Sequence, residues 1–131
     1  MTERRTQYVY KAPARRGSSE HAEQVALFQW AANIPELETM YATPNAGKRP
    51  GSQGAWMVAE GLKKGVPDIH LPVARGGYHS LWIELKHGKN KTTKEQEWWL
   101  ERLNALGHLA VVAYEFEGAK AAIEAYMKIA P

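Results

Sequence analysis

Asp68 is the one aspartate among fourteen acidic residues, and it follows Pro67 at the start of an otherwise apolar stretch. Sixteen residues later, Glu84 and Lys86 stand two apart in the alternating run Leu81-Trp82-Ile83-Glu84-Leu85-Lys86. Alternate residues of a strand project to one face, so Trp82, Glu84 and Lys86 share a side, and the large aromatic predicts that this side is covered rather than freely solvated. Two carboxylates at the ends of neighbouring strands offer oxygen ligands of the kind Mg²⁺ takes while keeping several waters. A phosphate oxygen would complete such a shell, and Lys86 would orient an attacking water or neutralise charge building on a phosphodiester. The plainer alternatives are a turn or cap for Asp68 and a same-face ion pair for Glu84 with Lys86.

Other chemistries find little support. The chain has no cysteine, which excludes a thiol nucleophile, a thiolate zinc site and an iron–sulfur cluster, and agrees with a reducing cytoplasmic compartment. Gly47-Lys48 lacks the earlier glycine and the following Ser or Thr of a phosphate-binding loop, so no nucleotide cofactor is expected. His21, His70, His79, His87 and His108 show no metal-ligand spacing, and His70 is expected to be an ordinary strand histidine. No apolar run approaches the roughly 20 residues that span a bilayer, and no signal-peptide core is visible, so no membrane association is expected.

These residues must be held by a single domain, since 131 residues leave no room for two of ordinary size. Residues 1–17 carry five basic residues against Glu3 and few large apolar groups, and are predicted to form a basic flexible arm before a domain spanning 18–131. Ser18 or Ser19 would cap a helix to about Asn33, with Gln24, Leu27, Phe28 and Ala31 at helical spacing. A short strand over Thr39–Thr43, an irregular loop over Pro44–Gly54 and a short helix over 55–63 follow. Val66–Val73 and Leu81–Lys86 read as strands, the latter with Leu81, Ile83 and Leu85 facing the core. Thr93-x-x-Gln96 resembles a capping box for a helix through Trp99, Leu100, Leu103 and Leu106, of whose adjacent tryptophans one would be buried and the other partly exposed. Leu109–Phe116 is the next strand and 118–129 the last helix. The order predicts an α/β domain, with a mixed central β-sheet flanked by helices.

Charge is clustered: besides the basic arm, Lys86, Lys89, Lys91 and Lys94 form a run free of acids, which suits a polyanionic partner. Lys48, Arg49, Lys89 and Lys91 are phosphate-contact candidates, because positioning contacts need charge and reach. Gln96 either points inward or serves only as a cap.

Gly65-Val66-Pro67-Asp68 followed by Glu84-Leu85-Lys86 resembles the P-D…(D/E)-x-K signature of the restriction-endonuclease-like nucleases. The wider set is more specific. The helix Glu20-His21-Ala22-Glu23-Gln24, the Pro44-Asn45 loop, the Lys-Gly approach to Pro67-Asp68, the Ile83–Lys86 strand, Gln96 and Leu106-Gly107 are similar to the VRR-NUC (virus-type replication-repair nuclease) family over about residues 18–128. The resemblance implies a restriction-endonuclease-like core and a Mg²⁺- or Mn²⁺-dependent DNA endonuclease. It assigns Asp68, Glu84 and the Leu85 carbonyl to metal and Lys86 to the attacking water, with Glu20 completing the acidic cluster and Glu23 as its rival. It places Gln96 near the catalytic residues and Asn45 near DNA. It further implies branched DNA, a four-way (Holliday) junction above all, as substrate, a homodimer to present two active sites, and a phage or bacterial setting. The alternatives are a nuclease for flapped, nicked or plain duplex DNA and a non-catalytic DNA-binding module.

Overall fold

Leu81–Lys86 forms the central strand, β4, of a five-stranded sheet in the computed structural model, which describes residues 8–44 and 51–131. The other strands are β1 (Tyr8–Tyr10), β2 (Tyr41–Ala42), β3 (Ile69–Leu71) and β5 (Leu109–Tyr114). Their order is β1-β5-β4-β3-β2. β1, β5 and β4 run parallel, whereas β3 is antiparallel to β4 and β2 antiparallel to β3. The helices are α1 (Glu20–Ala31), α2 (Gly51–Ala59), α3 (Lys94–Ala105) and α4 (Glu115–Met127), with a 3₁₀ turn at Pro35–Leu37. A mixed sheet flanked by helices is the α/β architecture expected from the sequence. Among the described residues, no helix is long and apolar enough to cross a membrane.

Strand alternation sorts the sheet into two faces. Leu81, Ile83 and Leu85 pack with Val111 and Ala113 of β5 and with Leu27, Ala31, Ala122, Ile123 and Tyr126 from α1 and α4. On the opposite face Ala110 and Val112 meet Leu100 and Leu103 of α3, with Trp82 and Trp99 at the margin. Fully burying one such Leu or Ile contributes about 1.5–3 kcal/mol, so these two layers hold β4 and its polar residues in place.

Local signals set most element ends. The Ser19 hydroxyl accepts the Ala22 N–H at 3.1 Å to start α1, as anticipated. Thr93 and Gln96 form the reciprocal capping box of α3. Pro67 and Pro72 bracket β3 and shorten it to three residues from the longer run expected. Helix α2 starts at Gly51, inside the stretch read as loop, and the last helix starts at Glu115 rather than Gly118.

The flexible-arm reading needs the largest correction. Tyr8–Tyr10 pairs with Val111–Ala113 as an edge strand, and a Cβ on Gly118 would lie 2.6 Å from the Tyr10 carbonyl oxygen, so α4 packs directly on this strand. Three alternating residues, Tyr8, Val9 and Tyr10, were too short a signal to outweigh the surrounding basic composition.

Candidate active site

Sheet register brings the predicted acids together. Ile69 faces Ile83 across the antiparallel β3–β4 pair, so Asp68, one residue before β3, lies beside Glu84. Asp68 is held from both sides: its Oδ2 accepts the Leu85 N–H at 2.8 Å, and its own carbonyl accepts the Thr43 N–H at 2.7 Å. The Thr43 hydroxyl donates to the Pro67 carbonyl at 2.6 Å. Upstream, the Trp99 indole N–H donates to the Lys64 carbonyl at 3.1 Å. Gly65 has φ +94°, and a Cβ there would lie 2.7 Å from the Glu95 backbone, so only glycine lets the chain pass α3 on its way to Asp68.

Asp68, Glu84 and Lys86 are all buried, at 8%, 2% and 7% exposure. The Lys86 ammonium stands 3.6 Å from Glu84 Oε2, while Glu84 Oε1 is buried without a hydrogen-bond partner among the described residues. Burial and the neighbouring Asp68 carboxylate push Glu84 up to about 9, and the Lys86 charge offsets only part of this. Protonated, Glu84 shares a hydrogen bond with Asp68; ionised, the two carboxylates repel, and a cation bound there would take the place of the proton. Two carboxylates suit a hard divalent ion that keeps most of its waters. Among the described residues, no group of three or more His, Cys, Asp or Glu side chains is placed to hold a metal. The contact seen on Leu85 is through its N–H, to Asp68.

The two helix glutamates separate clearly. Glu20 is half-buried and lines, with Gln24, Phe28, Thr43 and Asp68, a cleft of about 860 Å³; its charge reaches Glu84. Glu23 instead accepts from Arg15 at 2.6 and 3.1 Å, from the Ser18 hydroxyl, and from the Phe116 N–H at 3.0 Å. Glu23 is therefore a structural tie between the N-terminal segment, α1 and α4. Gln96 is corrected too: its Oε1 accepts the Thr93 N–H at 2.9 Å, which commits that oxygen to capping rather than to the acids. Lys89 and Lys91 are exposed on the β4–α3 connection. Asn45, Lys48 and Arg49 lie outside the described residues.

The fold carrying these residues has a solved counterpart. A structure described as a VRR_NUC domain protein superposes with a TM-score of 0.77 at 28% identity, covering 88% of this chain and 93% of that one. The VRR-NUC resemblance is borne out. No family model and no curated protein matches the chain. Within this VRR-NUC fold, the sheet brings Asp68, Glu84 and Lys86 into one buried cluster, with Glu20 on the adjoining cleft wall.

Sequence reading missed two features. The Tyr41 hydroxyl lies 2.7 Å from His70 Nδ1, His70 Nε2 3.0 Å from Ser80 Oγ, and Ser80 Oγ 2.6 Å from His108 Nδ1, a polar chain assembled from four strand regions. His70 also stacks on Trp82 at 3.8 Å, and burial lowers the pKa of both histidines. Glu115 is the second: it is buried and binds the turn after Lys86. Neither shows as a local motif, because each joins residues distant in sequence.

Proposed function

We propose that this chain is a Mg²⁺- or Mn²⁺-dependent DNA endonuclease, and specifically a homodimeric four-way junction resolvase. The observation that carries the nuclease reading is the buried Asp68–Glu84 pair, with an orphaned Glu84 oxygen and Lys86 beside it, in a fold matching a VRR_NUC domain protein. Asp68 and Glu84 would hold the ion, and Glu20 stands on the adjoining cleft wall. The bound ion would supply positive charge against the charge that develops on the scissile phosphodiester. Lys86, buried and 3.6 Å from Glu84, orients the attacking water or neutralises that charge, and its fixed position spares reorganisation during reaction. Exposed Lys89 and Lys91 supply positioning contacts to phosphates. The junction preference and the dimer rest on the family resemblance and on the need for two sites to make symmetrical cuts.

The test is cleavage of a labelled four-way junction beside linear duplex, flap and single-strand controls, in Mg²⁺ or Mn²⁺, with Glu84→Gln as the blank. Paired, metal-dependent cuts confined to the junction support the full proposal. Cutting of the controls keeps the nuclease and removes the junction specificity. Absence of Glu84-dependent cutting on every substrate overturns the nuclease reading.

A further inference from the structure

Glu115 is the only non-glycine residue with a positive φ, +63°, among the described residues. A left-handed conformation is unfavourable for a side chain with a Cβ and persists where surrounding contacts impose it. Those contacts come from the turn that follows β4. The Glu115 side chain is 1% exposed; one carboxylate oxygen accepts from His87 Nδ1 at 2.7 Å and the other from the Gly88 N–H at 2.7 Å. Glu115 does not serve its own helix: the Phe116 N–H in the first turn of α4 donates to Glu23. All its acceptor capacity seen here is spent on the turn that leaves β4.

That turn is tied at a second point. The Asn90 N–H donates to the His87 carbonyl at 3.2 Å, closing the turn, and the Tyr114 hydroxyl donates to the Asn90 carbonyl at 2.7 Å. Tyr114 pairs with Lys86 in the β4–β5 ladder, so the ladder alone sets the backbone of Lys86. Beyond Lys86 the ladder ends, and Glu115 and Tyr114 take over. Exposed Lys89 lies within the turn so held, and exposed Lys91 follows it.

We propose that Glu115 is a positioning residue for DNA binding: its carboxylate, held by a strained backbone, fixes the His87–Asn90 turn so that Lys89 and Lys91 meet substrate phosphates in register with Lys86. This rests on the nuclease reading above. It differs from a general stabilising role in what it affects. A misplaced lysine turn weakens DNA binding and leaves turnover at saturating DNA unchanged, whereas a global defect lowers the active fraction and therefore turnover.

The experiment uses the full chain and a labelled four-way junction, with dissociation constants measured in EDTA and turnover measured in Mg²⁺. Glu115→Asn is the main variant, because asparagine tolerates a positive φ but is too short to reach the turn. It is expected to raise Kd about tenfold, as loss of well-placed phosphate contacts does, with turnover within about threefold of wild type. Glu115→Gln keeps the reach and an acceptor for Gly88, and should restore Kd to within about threefold. In a Lys89→Ala/Lys91→Ala background, Glu115→Asn should add nothing, since the groups it positions are gone. Should Glu115→Asn not fold, Tyr114→Phe cuts the second tether and is expected to raise Kd by about threefold. An unchanged Kd, or an equal loss in the lysine-free background, overturns the proposal while leaving the nuclease intact. Wild type that neither binds nor cuts DNA overturns the nuclease reading and this proposal with it.

Discussion

Glu23 and Glu84 are equally buried, at 1% and 2% exposure, yet their surroundings are opposite. Glu23 accepts from a guanidinium, a hydroxyl and a backbone N–H. Burial alone would raise its pKa, but the Ser18 hydroxyl, the Phe116 N–H and Arg15 together hold it below the ordinary carboxylate range. Glu84 has an orphaned oxygen, faces Asp68, and is pushed up to about 9. One carboxylate is a completed structural contact; the other is incomplete until a cation or proton arrives. Buried polar groups in native proteins are almost always satisfied, so an exception beside a second carboxylate and a lysine points to function rather than to stability.

The largest expected effects break the comparison at Glu84. Glu84→Gln and Asp68→Asn each remove a charged ligand oxygen, and metal-dependent cutting should fall by about 10³-fold or more, equivalent to roughly 4 kcal/mol of barrier. Near-normal rates in either variant would remove that residue from the site. The same Glu84→Gln protein should be at least as stable as wild type at neutral pH without metal, because folding of the wild type must bind a proton at Glu84 and glutamine is neutral already. Glu23→Gln should behave in reverse. Weakening the hydrogen bonds that the carboxylate accepts from the Ser18 hydroxyl and the Phe116 N–H should cost about 1–2 kcal/mol in a urea melt, with turnover of the folded fraction preserved. A stable Glu23→Gln protein that cannot cut would return Glu23 to the active site in place of Glu20.

Deleting residues 1–17 sharpens the same contrast. It removes β1 and Arg15, so the shortened protein should melt at lower urea than wild type, whereas a detached basic arm would have left the melt unchanged and altered only the salt dependence of DNA binding. Both readouts come from one purified variant.

The Glu84 half of this comparison was legible in the sequence, and the Glu23 half was not. Asp68, Glu84 and Lys86 are readable because a strand's twofold period and a short spacing bring them together, and the family resemblance adds their roles. Central β4 was read to the residue because both of its faces are covered and its alternation is clean. Glu20 and Glu23 looked interchangeable, since both sit in the first turn of α1; only the position of Arg15, eight residues before Glu23, separates them. Gln96 remained ambiguous for a related reason, because a capping residue and an inward-facing one share the same sequence pattern. Glu115 could not be found from sequence: its partners His87 and Gly88 lie more than 25 residues away, and its positive φ occurs at a position with no turn signal.

Proton linkage gives a smaller effect, with opposite signs for the two acids. For Glu84 the native pKa, about 9, exceeds the ordinary 4.5, so the metal-free native state holds the extra proton between these values. Its contribution to stability is complete below pH 4.5 and is lost as pH rises towards 9. Urea melts in EDTA should therefore show wild type losing ground to Glu84→Gln from pH 7 to pH 9, with Mg²⁺ closing the gap for wild type alone. Parallel pH profiles would mean that Glu84 is ionised at neutral pH without a cation.

The smallest expected effect belongs to Arg15→Ala, because the guanidinium is largely solvent-exposed and screened, and Glu23 keeps Ser18 and the Phe116 N–H. Glu23 has a depressed native pKa, so its contribution is present above pH 4.5 and is lost as pH falls through the native value. Arg15 supplies part of that depression. The stability gap between wild type and Arg15→Ala should therefore be open at pH 7, begin to narrow as pH falls below 4.5, and close below the depressed native value, where Glu23 is protonated in both proteins. A gap that stays constant with pH would assign the role of Arg15 to packing of its aliphatic stem, and would leave Ser18 and the α4 backbone as the groups that complete the buried Glu23.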